Sequence, residues 1–155
     1  MKTARQLSIF LLVVSSMAAL YGGWQMISDP TGNSLGFPFY LLNGSVFSDY
    51  SLPGWVVLFT VGVFSAVIIF GIVRKIQIYS FLIMLQGVII CIIIFMQMLL
   101  LSETFMIQYV FLILAIALIG LGALQNQRKI AVENAHKAHP QPAPKSQHHK
   151  HRKHK

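Results

Sequence analysis

Glutamine is the most polar side chain within the long apolar runs of this sequence. Gln25, Gln97 and Gln108 lie at similar distances from one end of their runs, and Tyr109 follows Gln108. An unpaired amide in hydrocarbon is costly, so amides at one depth are expected to converge. We expect these four side chains to form a shallow polar cluster that either links helices or binds a lipid head group or small molecule. Gln86, three helical turns before Gln97, extends the cluster into a polar seam.

The other reactive side chains argue against catalysis. Asp29 and Asp49 could form a general acid–base pair, but they are 20 residues apart, and each suits a turn or a helix cap. The single cysteine, Cys91, cannot pass electrons as paired cysteines do. The apolar centres of the runs hold no Asp, Glu, Lys, Arg or His, which argues against a pump or a coupled transporter. We expect no catalytic activity and no cofactor.

A third set of candidate residues lies in the tail at 128–155. Prolines at 140, 142 and 144 predict disorder, although Arg128–Lys137 can extend the last helix before Pro140 stops it. The basic residues predict attraction to anionic lipid, with unspecific binding of nucleic acid as the alternative. Histidine-rich tracts also bind transition metals. The candidate metal ligands are His148, His149, His151 and His154.

Four apolar runs must position these side chains. The chain is 55% hydrophobic and 10% charged, and runs at about 6–27, 54–73, 78–101 and 105–124 each approach the roughly 20 residues that cross a bilayer. The strands of a transmembrane β-barrel would alternate apolar and polar residues. A barrel is excluded because these runs are apolar at consecutive positions, as at 88–95. The predicted fold is all-α: an antiparallel four-helix transmembrane domain at 1–127, with an outer loop at 28–53, followed by the tail.

Charge predicts the orientation of this bundle. All 12 Lys and Arg residues fall on one side when the runs are threaded through a bilayer. By the positive-inside rule both termini are then cytoplasmic. The first run has a second interpretation as a secretory signal peptide, with a charged start at Met1–Arg5 and small residues at Ser15–Ala19, although its apolar character continues to Ile27.

Small residues predict where helices approach closely. Ser15, Ala19 and Gly23 recur at every fourth position, and Gly87 begins a similar pair in the third run. Such strips allow close contact between helices in lipid. We expect them to pack within the bundle, with a homodimer face as the alternative.

The outer loop carries the most distinctive local pattern. Asp29 precedes Pro30 and suits the turn that ends the first helix, while Ser51 followed by Pro53 predicts an N-cap for the second. The segment at 35–42 is too apolar for a solvated loop and too short to cross. We expect it to lie at the outer interface, above the glutamines.

These loop residues carry a resemblance to a protein family. The pattern Asp-Pro-x-Gly-x-x-Leu-Gly-x-Pro followed by Phe-x-Asp-Tyr-x-x-Pro-Gly resembles a signature of small, uncharacterised four-helix bacterial membrane proteins. Its members here are Asp29, Pro30, Gly32, Leu35, Gly36, Pro38, Phe47, Asp49, Tyr50, Pro53 and Gly54. The resemblance covers residues 1–124 and implies a bundle in a bacterial inner membrane, without an established activity.

Two functions remain open from the sequence. The first is an accessory or interaction subunit without catalytic activity, whose partners are membrane lipids and either another membrane protein or a second copy of the chain. The alternative is a carrier or small permease for a lipid-like ligand, with Gln25, Gln97, Gln108 and Tyr109 as polar contacts beneath the outer loop.

Overall fold

The computed structural model describes residues 2–36, 47–100 and 105–138, and within them the chain is helical with no strand. The four main helices are α1 (Lys2–Ser28), α2 (Ser51–Val73), α3 (Tyr79–Leu100) and α4 (Met106–Ala138). A short 3₁₀ turn at Asn33–Leu35 follows α1. The predicted all-α four-helix fold is confirmed.

Each helix is long enough and apolar enough to cross a membrane. In lipid the backbone must satisfy its own hydrogen bonds, and a continuous helix does so within one segment. Large apolar side chains cover the outside of the bundle, as expected for a surface that faces acyl chains. Phe10, Val67, Phe95 and Ile113 are examples, each more than half exposed.

The helices form two close pairs, α1 with α2 and α3 with α4. In the first pair Gly23 lies against Leu58 and Gly54. In the second pair Gly87 lies against the Ala115 carbonyl, so close that an added Cβ would sit 2.7 Å from its oxygen. Contacts between the pairs are fewer, and most of the close helix packing therefore lies within the pairs.

The predicted small-residue strip lies inside the bundle. Ser15 and Ala19 are buried, and Gly23 lies in the α1–α2 contact described above. This face of α1 is covered by the same chain, which agrees with packing within the bundle rather than between copies.

The last helix continues beyond the apolar run at 105–124, as the expected extension through Arg128–Lys137 allows. Gly120 and Gly122 lie near the end of that run, and α4 passes through both to Ala138. Gly122 lies against the backbone of Ser80 and Met84 in α3. Gly122 therefore allows α3 and α4 to touch. The boundary expected at 127 between the transmembrane domain and the tail falls within α4.

We name the two ends of the bundle by their connections. The loop end holds the α1–α2 and α3–α4 connections, and the terminus end holds the start of α1, the end of α4 and the short α2–α3 turn. That turn contains Lys75 in a left-handed conformation with φ of 56°.

Candidate functional site

A cavity of about 320 Å³ lies between the two helix pairs at the loop end. Its walls come from the first turns of α2, the last turns of α3 and the start of α4, with Met26 contributed by α1. Its lining residues are Met26, Phe47, Tyr50, Pro53, Val56, Val57, Ile92, Ile93, Met96, Gln97, Phe105, Ile107 and Gln108. Since pockets for small ligands span about 300–1,000 Å³, this volume suits a small ligand or part of a lipid chain.

A π-helical segment of α2 begins directly after the cavity-lining residue Val57 and continues toward the middle of the bundle. Residues Leu58–Val63 adopt the wider π turn, which is rare and often marks functional positions. The amide of Gln86 in α3 donates to the carbonyls of Thr60 and Val61, with N···O distances of 3.3 and 3.5 Å. Ser16 in α1 donates to the next carbonyl, that of Gly62, at 2.8 Å.

These bonds join three helices at one level of the bundle. Gln86 is fully buried, and its Nε2 group connects α3 to α2 between the two helix pairs. We call this the Gln86 contact. The pairs meet here, whereas the cavity separates them nearer the loop end.

Two glutamines supply the amides of the cavity wall. Gln108 is 4% exposed, and its Oε1 atom accepts the Phe105 backbone N–H at 3.1 Å, which caps the start of α4 in the manner of a capping box. Its Nε2 group makes no hydrogen bond to the described part of the chain. Gln97 is half-buried, and its amide likewise has no hydrogen bond there. Both amides can therefore bond to a molecule in the cavity.

The structure separates the four residues of the predicted polar cluster. Gln97 and Gln108 line the cavity, but Gln25 bonds to the hydroxyl of Tyr21, one turn earlier on α1, at 3.1 Å. Tyr109 is 49% exposed and points away from the cavity wall. The depth of each residue along its helix was predicted adequately from the sequence, but the direction in which its side chain points was not.

The remaining lining residues are mostly apolar, and the sequence analysis did not identify them as part of a site. Helical spacing could have found some of them, because Ile93 lies one turn before Gln97 and Val57 one turn after Pro53. Phe47 and Tyr50 belong to the loop pattern that the sequence singled out. Burial raises the pKa of the Tyr50 hydroxyl, so this wall of the cavity stays uncharged.

The loop motif builds the turns beside the cavity. Asp29 accepts bonds from the Thr31 hydroxyl at 2.5 Å and from the Ser34 backbone N–H at 2.8 Å. These bonds hold the pKa of the Asp29 carboxyl below its ordinary value, and the bond from the Thr31 hydroxyl has the largest effect. The backbone N–H of Tyr50 donates to the Pro30 carbonyl at 3.0 Å. The motif therefore joins the end of α1 to the start of α2.

The predicted N-cap of the second helix requires a correction. Ser51 is the first residue of α2 rather than its cap. Asp49 instead accepts the Ser51 backbone N–H at 2.9 Å, because a carboxylate two residues earlier reaches this otherwise unpaired donor. Pro53 lies in the first turn, as predicted.

The other loop and tail predictions have a simpler outcome. Gly32 and Gly36 both adopt positive φ, at 79° and 66°, which explains why glycine occupies these turn positions. Pro38, the apolar segment at 37–42 and the histidines His148, His149, His151 and His154 lie outside the described residues.

The cavity opens toward the lipid-facing side of the bundle. Val56, Ile92, Met96 and Ile107 line it and are each between 42% and 58% exposed. All four lie within candidate membrane spans. A molecule dissolved among acyl chains would therefore meet the opening directly.

Comparison with protein-family models, with curated proteins and with solved structures finds no match for this chain.

Proposed function

We propose that this protein is a non-enzymatic membrane protein that binds an uncharged, lipid-like amphiphile in the loop-end cavity. The supporting observation is an apolar cavity lined by the Gln97 amide and the Gln108 Nε2 group, neither of which has a hydrogen bond within the described part of the chain. At about 30 Å³ for a water-sized group, 320 Å³ holds roughly ten methylene-sized groups. Part of one acyl chain with a small polar group matches this volume.

The charge of the loop end favours an uncharged ligand. Residues 6–73 and 76–127 contain no Lys, Arg or His, so neither helix pair offers a cation at this end. Asp29 and Asp49 lie in the adjoining turns. A carboxylate or phosphate would therefore be desolvated in the cavity without a countercharge, whereas a hydroxyl, ester or amide can bond to the two glutamines.

The orientation forms part of this proposal. The terminus end carries Arg5, Arg74, Lys75, Arg128 and Lys129, which the positive-inside rule assigns to the cytoplasm. The loop end then faces outward, and the cavity opens into the outer leaflet of what we propose to be a bacterial inner membrane. Trp24 and Trp55 are exposed on the outside of the loop end, the position of interfacial aromatic anchors.

Native mass spectrometry with matched probes tests the binding proposal. The protein in mild detergent is mixed with a monoacylglycerol and, separately, with the fatty acid of equal chain length at a pH where the acid is ionised. We expect retention of the monoacylglycerol, and about tenfold less retention of the fatty-acid anion because it lacks a countercharge.

Two pairs of variants locate the site. Gln97→Leu removes an unpaired amide of the cavity, and Gln25→Leu removes an amide at similar depth outside it. Val57→Trp fills the cavity, and Val67→Trp places the same bulk on the exposed face of α2. Only the first member of each pair should reduce monoacylglycerol retention. Equal retention by wild type, Gln97→Leu and Val57→Trp would contradict the proposal.

A second proposal is that the protein is an accessory subunit whose partner binds the projecting end of α4. The 33 residues of α4 span about 50 Å at 1.5 Å per residue, which exceeds the hydrocarbon core by about 20 Å. Ala131–Ala135, Lys137 and Ala138 are exposed. This length of helix is available to a partner outside the membrane.

Two truncations test the accessory role. Ending the chain after Ile130 removes the projecting helix and the tail, whereas ending it after Ala138 removes the tail alone. If a subunit binds this helix, co-purification of that subunit survives the shorter deletion and is lost in the longer one. A partner retained by both truncations would contradict docking on α4.

A further inference from the structure

A second hollow lies at the terminus end, between α1, α3 and α4. Its volume is about 50 Å³, and its lining residues are Ala4, Tyr79, Leu124, Gln125 and Arg128. At the same roughly 30 Å³ for a water-sized group, this volume holds one or two such groups. The hollow is therefore large enough for one small polar group and too small for an acyl chain.

Gln125 presents an unpaired acceptor at this hollow. Its side chain is 8% exposed, and its Nε2 group donates to the Ser8 hydroxyl at 2.9 Å. Ser8 in turn donates to the Ala4 carbonyl at 3.0 Å. The amide nitrogen is thus engaged, while the buried Oε1 atom has no partner in the described part of the chain. A buried amide oxygen without a partner is costly, so a ligand group with an O–H or N–H would stabilise it.

Arg128 supplies a cation at the mouth of the same hollow. It makes no hydrogen bond or ion pair within the described residues. Two neighbouring cations differ, since Arg5 donates to the Ile72 carbonyl at 3.0 Å and Lys129 donates to the Gln77 carbonyl. Those two cations tie helix ends together, and the guanidinium of Arg128 remains available to an anion.

Tyr79 adds a third polar group without a partner. Its ring packs against the core, and its hydroxyl makes no hydrogen bond within the described part of the chain. A phenol can donate to a phosphate oxygen or accept from a ligand hydroxyl. Around this hollow the structure therefore places one acceptor, one cation and one group that can act either way.

We propose that this hollow takes the hydrogen-bond donor of a phospholipid head group, while the phosphate of the same head group lies at its mouth beside the exposed Arg128 side chain. Arg128 pairs with the phosphate, Tyr79 bonds to a phosphate oxygen, and Gln125 Oε1 accepts from a glycerol hydroxyl or an ethanolamine ammonium. Leu124 is 52% exposed beside the hollow, so the acyl chains can remain in the bilayer. Basic pockets between helices at the cytoplasmic side bind such head groups in membrane proteins.

Lipids with and without the donor test this proposal. The protein is reconstituted into nanodiscs of phosphatidylglycerol, phosphatidylethanolamine and phosphatidylcholine with identical acyl chains, then released for native mass spectrometry. Choline has the same phosphodiester but no N–H or O–H donor. We expect retained phosphatidylglycerol and phosphatidylethanolamine, with about tenfold less phosphatidylcholine, the ratio that corresponds to about 1.4 kcal/mol.

Variants with matched charge separate the site from general electrostatics. Arg128→Gln should lower retention of the two donor lipids about tenfold, since hydrogen bonds to charged groups are the stronger ones. Tyr79→Phe should lower it less. Lys75→Gln removes an exposed cation at the same end, outside the hollow, and should change little. Equal retention of phosphatidylcholine, or an equal effect of Lys75→Gln, would overturn the proposal.

A soluble competitor identifies the source of the phosphate. Glycerol phosphate is added to the lipid-loaded protein, and displacement is compared with that by inorganic phosphate. Little displacement by either supports a lipid head group held in part by its chains. Full displacement by glycerol phosphate at low concentration would overturn the assignment to a lipid and point to a soluble phosphate ester.

Discussion

The two ends of this bundle differ in charge, in packing and in the size of the space they enclose. At the loop end the helix pairs separate around an apolar cavity of about 320 Å³, with acidic residues in the adjoining turns. At the terminus end α3 and α4 meet at Gly122, basic residues gather, and the hollow measures about 50 Å³. Four similar apolar helices thus produce two unlike sites, because small residues and charges decide where they converge.

The difference between the two ends shows that a few residues determine where the helices of a membrane bundle make close contact. Hydrocarbon supplies no hydrophobic drive between helices, so close contact depends on glycine and on buried hydrogen bonds. The Gln86 contact lies between the two ends and joins the helix pairs. On its loop-end side the pairs enclose a space for an apolar group, and the hollow on its other side is lined in part by the polar side chains of Tyr79, Gln125 and Arg128.

The largest expected effect is at the converging end. Gly122→Val places a Cβ 2.7 Å from the Met84 backbone nitrogen and 2.9 Å from the Ser80 carbonyl oxygen, so α3 and α4 must separate. We expect a loss of about 3 kcal/mol in the free energy of unfolding, as overpacking commonly costs. Reversible unfolding in mixed micelles measures it. Gly120→Val is the matched control, since no atom lies within 4 Å of its added Cβ, and a similar loss in both variants would refute the close contact.

A smaller effect is expected midway between the ends. Ser16→Ala removes the bond from α1 to the Gly62 carbonyl, and such bonds between membrane helices contribute about 0.6–2 kcal/mol. Ser15→Ala removes a bond of similar length to the Leu11 carbonyl within α1, which links no second helix. The same unfolding assay should show destabilisation in the first variant and almost none in the second. The reverse order would show that the π segment is not held by α1.

The smallest effect concerns pH at the loop end. The hydrogen bonds from Thr31 and Ser34 hold the pKa of the Asp29 carboxyl below its ordinary value. Its contribution to the folded turn is therefore fully present above the unfolded pKa and is lost as pH falls through the lower folded value. The amide resonance of Ser34, which donates to Asp29, should therefore stay constant from neutral pH down to the ordinary range of a carboxyl and shift only below it. A midpoint above the ordinary value would contradict the turn geometry.

Much of the fold was predictable because lipid imposes strict requirements on a spanning chain. The first three runs match α1, α2 and α3 to within a few residues, and the fourth run matches the start of α4, since each span needs about 20 apolar residues. The end of the fourth apolar run at 124 does not mark the end of α4, which continues to Ala138. Glycine usually weakens a helix, but Gly122 is held by its contact with α3, and that contact is not visible in a local pattern.

The site was only partly predictable for a related reason. Depth along a span follows from counting residues, which placed Gln97 and Gln108 at one level. The direction in which a side chain points depends on which helices pair. Gln25 bonds to Tyr21 on its own helix and not to the other glutamines. The π segment at Leu58–Val63 changes the direction of later α2 side chains. Nothing in the sequence of this segment predicts a π turn.

Photolabelling tests the central claim most directly. A monoacylglycerol with a diazirine in its chain is irradiated with the full-length protein in nanodiscs, and the labelled residues are mapped by mass spectrometry. We expect labels concentrated on Val57, Ile93 and Met96, which line the cavity, and competed by unlabelled monoacylglycerol. Labels spread evenly over the lipid-facing residues Val63, Val67 and Phe70, without competition, would contradict a binding site at the loop end.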